Sequence, residues 1–284
     1  MSPGEPYFYL DVNGVRLRIY DSARKNGNHG IGEPAIILLH GSPGQISNWK
    51  HLIPCLEKHY RVVAFDQRGY GGSSKPRRVS LEDYLEDLSQ LIEKLGLKED
   101  KVVLVGHSFG GLVAQEYAAS HRVLGLILIG SLTRLRPGLV DHIIWHTPPF
   151  IWRKLFFTEN PLTRRFYRKL FFSKATPDHV YEEFIEDNKE YLENLPAHVF
   201  RYLKYFKDYK ASVNVPKIKT PTLIMVGEED KVTPVGESRK LNEMIENSKL
   251  VIIEDSGHMV LYEKPKELCE YILEFIERCR EDSG

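Results

Sequence analysis

Residues 101–112 limit what this chain can fold into more sharply than any other stretch. An apolar, largely β-branched run through Val102, Val103, Leu104 and Val105 stops at Gly106-His107-Ser108-Phe109-Gly110, and an apolar helical pattern starts at once. The spacing predicts strand, tight turn and helix. Such a turn forces its middle residue toward a strained backbone conformation and needs small residues two positions either side, so that strand and helix can pass close together. Gly106 and Gly110 meet that need. Ser108 then stands at the C-terminal edge of a sheet and the N-terminus of a helix, where amide N–H groups and the helix dipole favour developing negative charge. In that setting Ser108 reads as a nucleophile.

A serine hydroxyl attacks poorly until a base removes its proton, so this reading requires a histidine, an acid to orient it, and donors for an oxyanion. Residues 7–11 and 15–20 are short alternating runs joined by Asn13-Gly14, a pair that accepts the positive φ angles of a two-residue hairpin. Residues 35–39 form an unbroken apolar run, as expected of a strand covered on both faces. The run ends in His40-Gly41-Ser42-Pro43-Gly44, whose glycines let backbone approach a ligand. The amide of Ser42, with that of Phe109, is the expected oxyanion hole. His40 precedes the nucleophile and directly ends a strand, which assigns it to bracing the loop. Residues 61–65 read as the next strand, and Asp66 and Arg68 in the Gly-rich turn that follows are expected to pin that turn. Ser80 opens a capping sequence for a helix through Leu95, which Gly96 closes. Strands separated by helices of this length require crossover connections and a parallel sheet, and ligands of such sheets lie at the strands' C-terminal ends.

From residue 131 to about 213 this alternation lapses. The segment is rich in aromatic residues, and Pro137, Pro148, Pro149, Pro161, Pro177 and Pro196 divide it into short helices. It reads as a helical cap inserted into an α/β core made of residues 1–130 and 214–284. Most of its rings are expected to form the cap's own core, with Trp145, Trp152 and Phe156, together with Met259, as candidate walls of an apolar pocket over Ser108. Arg164, Arg165, Arg168 and Lys169 are expected to be a solvated helix face. The strand pattern resumes at residues 220–226, after which Glu228, Glu229 and Asp230 compete for the role of acid. Another strand at 249–253 leads to Asp255-Ser256-Gly257-His258, and a histidine directly after glycine on such a loop can reach the edge that carries Ser108. Pro265 starts a closing helix whose Leu268, Ile272, Phe275 and Ile276 face inward.

The 284 residues, 42% of them hydrophobic, suffice for one large α/β domain or one domain with an insertion. Lysine plus arginine and aspartate plus glutamate number 39 each, so nothing steers the chain toward nucleic acid or an anionic membrane. The expected partner is a small-molecule substrate without strong charge, with the protein a monomer or homodimer and no membrane insertion. Cys55, Cys269 and Cys279 are odd in number and lack C-x-x-C spacing, which argues against a disulfide framework and a zinc site and fits a reducing compartment. The first ten residues lack a basic start followed by an apolar run, and the expected location is cytoplasmic.

The motifs 40–44, 66–73, 106–110, 227–230 and 255–258, in this order, resemble those of the α/β-hydrolase fold superfamily, and the resemblance runs from residue 7 to the last helix. It implies a mostly parallel eight-stranded sheet flanked by helices, with Ser108 as nucleophile, Asp230 as acid, His258 as base and the Ser42 and Phe109 amides as oxyanion donors, and no metal or other cofactor. The chain order Ser, Asp, His agrees with that fold. Serine at position 108, where some members carry aspartate, disfavours epoxide opening and dehalogenation. The activity expected is hydrolysis of carboxylic esters with small to medium apolar acyl groups through an acyl-enzyme on Ser108. The alternatives are a proline-iminopeptidase-like aminopeptidase using Glu182, Glu183, Glu186 or Asp187 to hold a substrate amino group, a carbon–carbon bond hydrolase, and a non-catalytic ligand receptor.

Overall fold

The computed structural model describes residues 6–26, 34–135, 137–152 and 160–281. Its strands are β1 (Tyr7–Val12), β2 (Val15–Asp21), β3 (Ala35–Leu39), β4 (Arg61–Phe65), β5 (Val102–His107), β6 (Gly125–Ile129), β7 (Thr222–Gly227) and β8 (Ser248–Ile253). They form one sheet in the order β1-β2-β4-β3-β5-β6-β7-β8. β2 pairs antiparallel with β1 and with β4, and the remaining pairs are parallel. The hairpin turns at Asn13 and Gly14 with φ of 42° and 72°, the left-handed region that asparagine and glycine tolerate best.

The central strands are unbroken apolar runs because both faces of the sheet are covered. Along β3, Ile37 and Leu39 belong to one buried cluster, while Ile36 and Leu38 belong to the cluster on the other face. One face is covered by α3 (Leu81–Lys94) and α4 (Phe109–Ala118), the other by α2 (Ile53–Leu56) and the closing helix α11 (Pro265–Glu281). The inward residues expected of α11, Leu268, Ile272, Phe275 and Ile276, are buried. Short helices α1 (Ser22–Asn26), α9 (Val235–Met244) and α10 (Val260–Glu263) complete the layers. Between β6 and β7 the chain carries α5 (Leu139–His146), α6 (Pro149–Trp152), α7 (Pro161–Phe171), α8 (Asp178–Asn194) and several 3-10 turns. Among the described residues no helix is long and apolar enough to cross a membrane.

The N-terminus of α3 is a reciprocal cap: the Asp83 amide donates to Ser80 Oγ at 3.2 Å, and the Ser80 amide donates to the Asp83 carboxylate at 2.8 Å. The turn after β4 is pinned by Asp66 and Arg68, but through separate partners. Asp66 accepts the amides of Ile46 and Gly72, each at 2.7 Å. Arg68 reaches instead to Asp87 on α3, in a bidentate pair at 2.7 and 2.5 Å. Both members of that pair are buried, so removing Arg68 strands the Asp87 charge, at a cost of about 3–5 kcal/mol, whereas without Asp87 the guanidinium keeps Asp83 at 3.2 Å.

One expectation is overturned. Cys55 on α2 and Cys269 on α11 are joined in a disulfide across 214 residues of sequence, and buried Cys279 lies outside the bridge. Two helices far apart in the chain pack side by side on one face of the sheet, and spacing in sequence carries no trace of that proximity. The cysteine argument for a reducing compartment falls with it. A cross-link closing so long a loop restricts the unfolded chain and contributes about 2–4 kcal/mol. A Cys55→Ser/Cys269→Ser variant should therefore melt several degrees lower than the oxidised protein in a calorimetric scan, and excess reductant should abolish the difference.

Candidate active site

The turn between β5 and α4 has the strained geometry expected of it. Ser108 has φ 52° and ψ −117°, outside the regions open to an ordinary side-chain-bearing residue. The flanking glycines are dictated by space: a Cβ on Gly106 would lie 2.5 Å from the carbonyl oxygen of Gly110, and one on Gly110 would lie 2.1 Å from that of Leu39. The Ser108 amide donates to the Ile129 carbonyl at 2.9 Å, which ties the turn to β6. Phe109 is the first residue of α4, so its N–H has no acceptor within the helix.

The loop after β3 comes up beside this turn. A Cβ on Gly41 would meet that of Ser108 at 3.2 Å, and Ser42 Oγ lies 2.7 Å from the hydroxyl of buried Tyr70. His40 braces the loop. Its Nε2 accepts the Gln67 amide at 3.0 Å, which leaves the proton on Nδ1, donated to the Gly41 carbonyl at 2.7 Å.

Of the three candidate acids, the one facing the histidine is Asp230. Its Oδ2 lies 2.8 Å from His258 Nδ1, while Oδ1 accepts the amides of Val232 and Thr233, both at 2.8 Å. Burial acts to raise the Asp230 carboxyl, but His258 and the Thr233 donors outweigh it and hold the group below the ordinary carboxylate range. With Oδ2 occupied as an acceptor, the proton of His258 sits on Nδ1 and leaves Nε2 as the basic lone pair. Glu228 is exposed, Glu229 accepts from Ser173 Oγ at 2.8 Å, and Asp255 is exposed on its turn with φ 51°. Thr233 is a site residue that no sequence motif pointed to; its hydroxyl lies 2.8 Å from both the Gly130 carbonyl and Asp230 Oδ2.

Ser108 and His258 line one cavity of about 300 Å³, together with Gly41, Ser42 and Met259. Its apolar wall comes chiefly from Phe166, Tyr167, Leu170 and Phe171 on α7 and from Phe184 and Ile185 on α8. Two of the expected wall residues are elsewhere: Trp145 and Trp152 pack with Ile144 in a separate buried cluster, and the Trp152 ring rests on Phe200 at 5.0 Å. On α5 it is Val140, Asp141 and Ile144, the neighbour of Trp145, that reach the cavity. Phe156 lies outside the described residues. The signal for the true wall is the stripe at 166, 167, 170 and 171, one helical turn apart. Arg165 and Lys169 are exposed as expected of a solvated face, whereas Arg164 pairs with Glu182 and lines the cavity. Glu183 and Asp187 are engaged by Lys50 at 2.7 and 2.6 Å, and neither they nor Glu182 and Glu186 line the cavity; Asp141 and Glu193 do.

With a strained serine, a buried carboxylate–imidazole pair and an apolar cavity at the C-terminal edge of a mostly parallel sheet, the molecule has the architecture of a hydrolase. The chain belongs to the alpha/beta hydrolase fold family, whose model matches residues 34–265. It is 31% identical over 303 residues to a proline iminopeptidase from Saccharolobus solfataricus, covering 95% of this chain and 92% of that one. It is 29% identical over 280 residues to a 2-hydroxy-6-oxo-2,4-heptadienoate hydrolase from Pseudomonas putida, covering 93% and 94%. Among solved structures, an esterase from Exiguobacterium antarcticum superposes with a TM-score of 0.76 at 25% identity, over 95% of this chain and 98% of that one.

His107, next to the serine, is a third buried histidine beside His40 and His258. Its Nε2 donates to the His258 carbonyl at 3.0 Å, and burial, reinforced by the neighbouring His258, pushes its pKa from 6.5 down to about 3. Burial likewise lowers His40. A folded-state pKa below the unfolded one means that the unfolded chain takes up a proton the native state refuses. Native stability therefore falls as pH drops below about 6.5, by about 1.4 kcal/mol per pH unit for His107, and His40 adds to the decline in the same direction. Urea unfolding between pH 6 and pH 5 should show this decline, and His107→Gln, which keeps a donor to the His258 carbonyl, should remove about one proton's worth of the slope.

Proposed function

We propose that the protein hydrolyses carboxylic esters with small to medium apolar acyl groups, using Ser108 as nucleophile, His258 as base, Asp230 as the orienting acid and the Ser42 and Phe109 amides as the oxyanion hole. The observation that carries this is the Asp230–His258 bond at 2.8 Å beside a predominantly apolar cavity that Ser108 and His258 both line. His258 Nε2 takes the Ser108 proton as Oγ attacks the ester carbonyl carbon. The carbonyl electron pair moves onto oxygen, between the two amides. Collapse breaks the ester C–O bond, and the alcohol leaves with the proton from His258. Water, deprotonated by the same nitrogen, then attacks the acyl carbon and releases the acid and free Ser108. Residues 131–213 act in this reading as a cap whose α7 and α8 surround the acyl chain.

Ser108→Ala should lower kcat on a short-chain p-nitrophenyl ester at least about a thousandfold, and Asp230→Asn by a comparable factor through the wrong histidine tautomer, both with unchanged circular dichroism. An unaltered rate in Ser108→Ala would refute the assignment.

The aminopeptidase reading is favoured by one observation: two acidic residues, Asp141 and Glu193, are among those lining the cavity, the residue type that holding a substrate amine requires. Turnover of Pro-β-naphthylamide against the p-nitrophenyl ester separates the two, with the ester expected to have the higher kcat/KM.

A further inference from the structure

Two carboxylates outside the acid–base pair join the turn between α7 and α8 to the loops that carry Asp230 and His258. Glu229, adjacent to Asp230, accepts from Ser173 Oγ at 2.8 Å. Glu263, at the end of α10 and half-buried, is shared between two segments. Its Oε2 accepts the Gly257 amide at 2.7 Å, next to His258. Its Oε1 accepts the Ser173 amide at 2.8 Å and the hydroxyl of buried Thr176. The same two segments meet again through backbone, where the Met259 amide donates to the Phe171 carbonyl at 2.9 Å. They meet so closely that a Cβ on Gly257 would lie 2.7 Å from the Phe171 carbonyl oxygen and 2.8 Å from backbone of Phe172. The glycine before His258 is thus a seat for the helical insertion, and Phe171, which lines the cavity, has its ring 6.0 Å from that of His258.

We propose that Glu263 is a positioning residue that makes placement of the insertion over the cavity and placement of His258 a single event, because one carboxylate group must satisfy donors from both segments at once. The proposal rests on the reading of His258 as base. Glutamate fits the task and glutamine does not: all its partners are donors, a carboxylate offers two accepting oxygens, and an amide must turn its NH2 against one of them. Such an unpaired buried donor is costly, so the Glu263→Gln protein loosens one segment or the other.

The test measures the rate at which a fluorophosphonate labels Ser108, well below the melting temperature, in the wild type, Glu263→Gln, Thr176→Val and the double variant. Amide hydrogen exchange over residues 171–176 and 256–259 is followed in parallel. The proposal expects labelling about tenfold slower in Glu263→Gln. It expects labelling several-fold slower in Thr176→Val, which leaves the Gly257 bond in place, and a double variant no slower than Glu263→Gln alone. Exchange should rise in both segments together in each variant. Thr176→Val labelling at the wild-type rate, additive losses in the double variant, or exchange rising in one segment only would overturn it. A wild type that is not labelled at Ser108 contradicts the preceding functional reading, and the exchange data then decide the coupling by themselves.

Discussion

The lack of space for a side chain at Gly106 and Gly110 is the constraint on which the rest depends. β3, β5 and α4 approach so closely there that backbone atoms fill the volume a Cβ would need. This lets the chain reverse from strand into helix within one residue and holds Ser108 in a conformation that an unconstrained serine avoids. The strain is sustained by what surrounds it: a sheet with both faces buried, the Ser108 amide on the Ile129 carbonyl, and the His40 loop packed against the turn. Strain is tolerated where neighbouring structure over-determines the backbone.

Electrostatics then divides labour among groups that look alike in sequence. Three histidines, 40, 107 and 258, lie buried around the turn. Two are kept neutral by burial and serve as hydrogen-bonding struts, each tying a loop to its neighbour through a ring nitrogen and a main-chain group. Of the three, His258 is the one hydrogen-bonded to a carboxylate, and that carboxylate is itself held by two amides and a hydroxyl, so the ring has one tautomer and one orientation. Among the acids, the difference between Asp230, Glu229 and Glu263 is likewise one of partners: an imidazole for the first, the helical insertion for the second, and both the insertion and the His258 loop for the third.

Much of this was legible in the sequence, and the reason is locality. β3 and β4 fall on the expected residues because two-sided burial writes itself as continuous apolar runs, and the hairpin at Asn13-Gly14 and the cap at Ser80 are decided by the residues that form them. The roles of His40 and Asp66 followed from their places at strand ends. What could not be read depends on distant parts of the chain meeting. Cys55 and Cys269 pair because α2 and α11 share a face of the sheet. Arg68 chooses Asp87 over nearby Asp66 because α3 presents it. Trp145 and Trp152 were expected at the cavity, yet large rings are also what a small helical layer needs for its own core, and there they are. The cavity wall fell instead to the stripe on α7, whose register toward Ser108 depends on how the Phe171–Met259 contact seats that helix.

In the proposed function Ser108 is made nucleophilic by His258 and its oxyanion falls between two main-chain amides. A crystal structure of the protein after reaction with a fluorophosphonate tests this most directly. The expected result is a phosphorus–Oγ bond at Ser108, with the phosphoryl oxygen about 2.7–3.1 Å from the amide nitrogens of both Ser42 and Phe109 and His258 Nε2 within hydrogen-bonding distance of the Ser108 oxygen. An adduct on another residue, or a phosphoryl oxygen turned away from both amides, would contradict it.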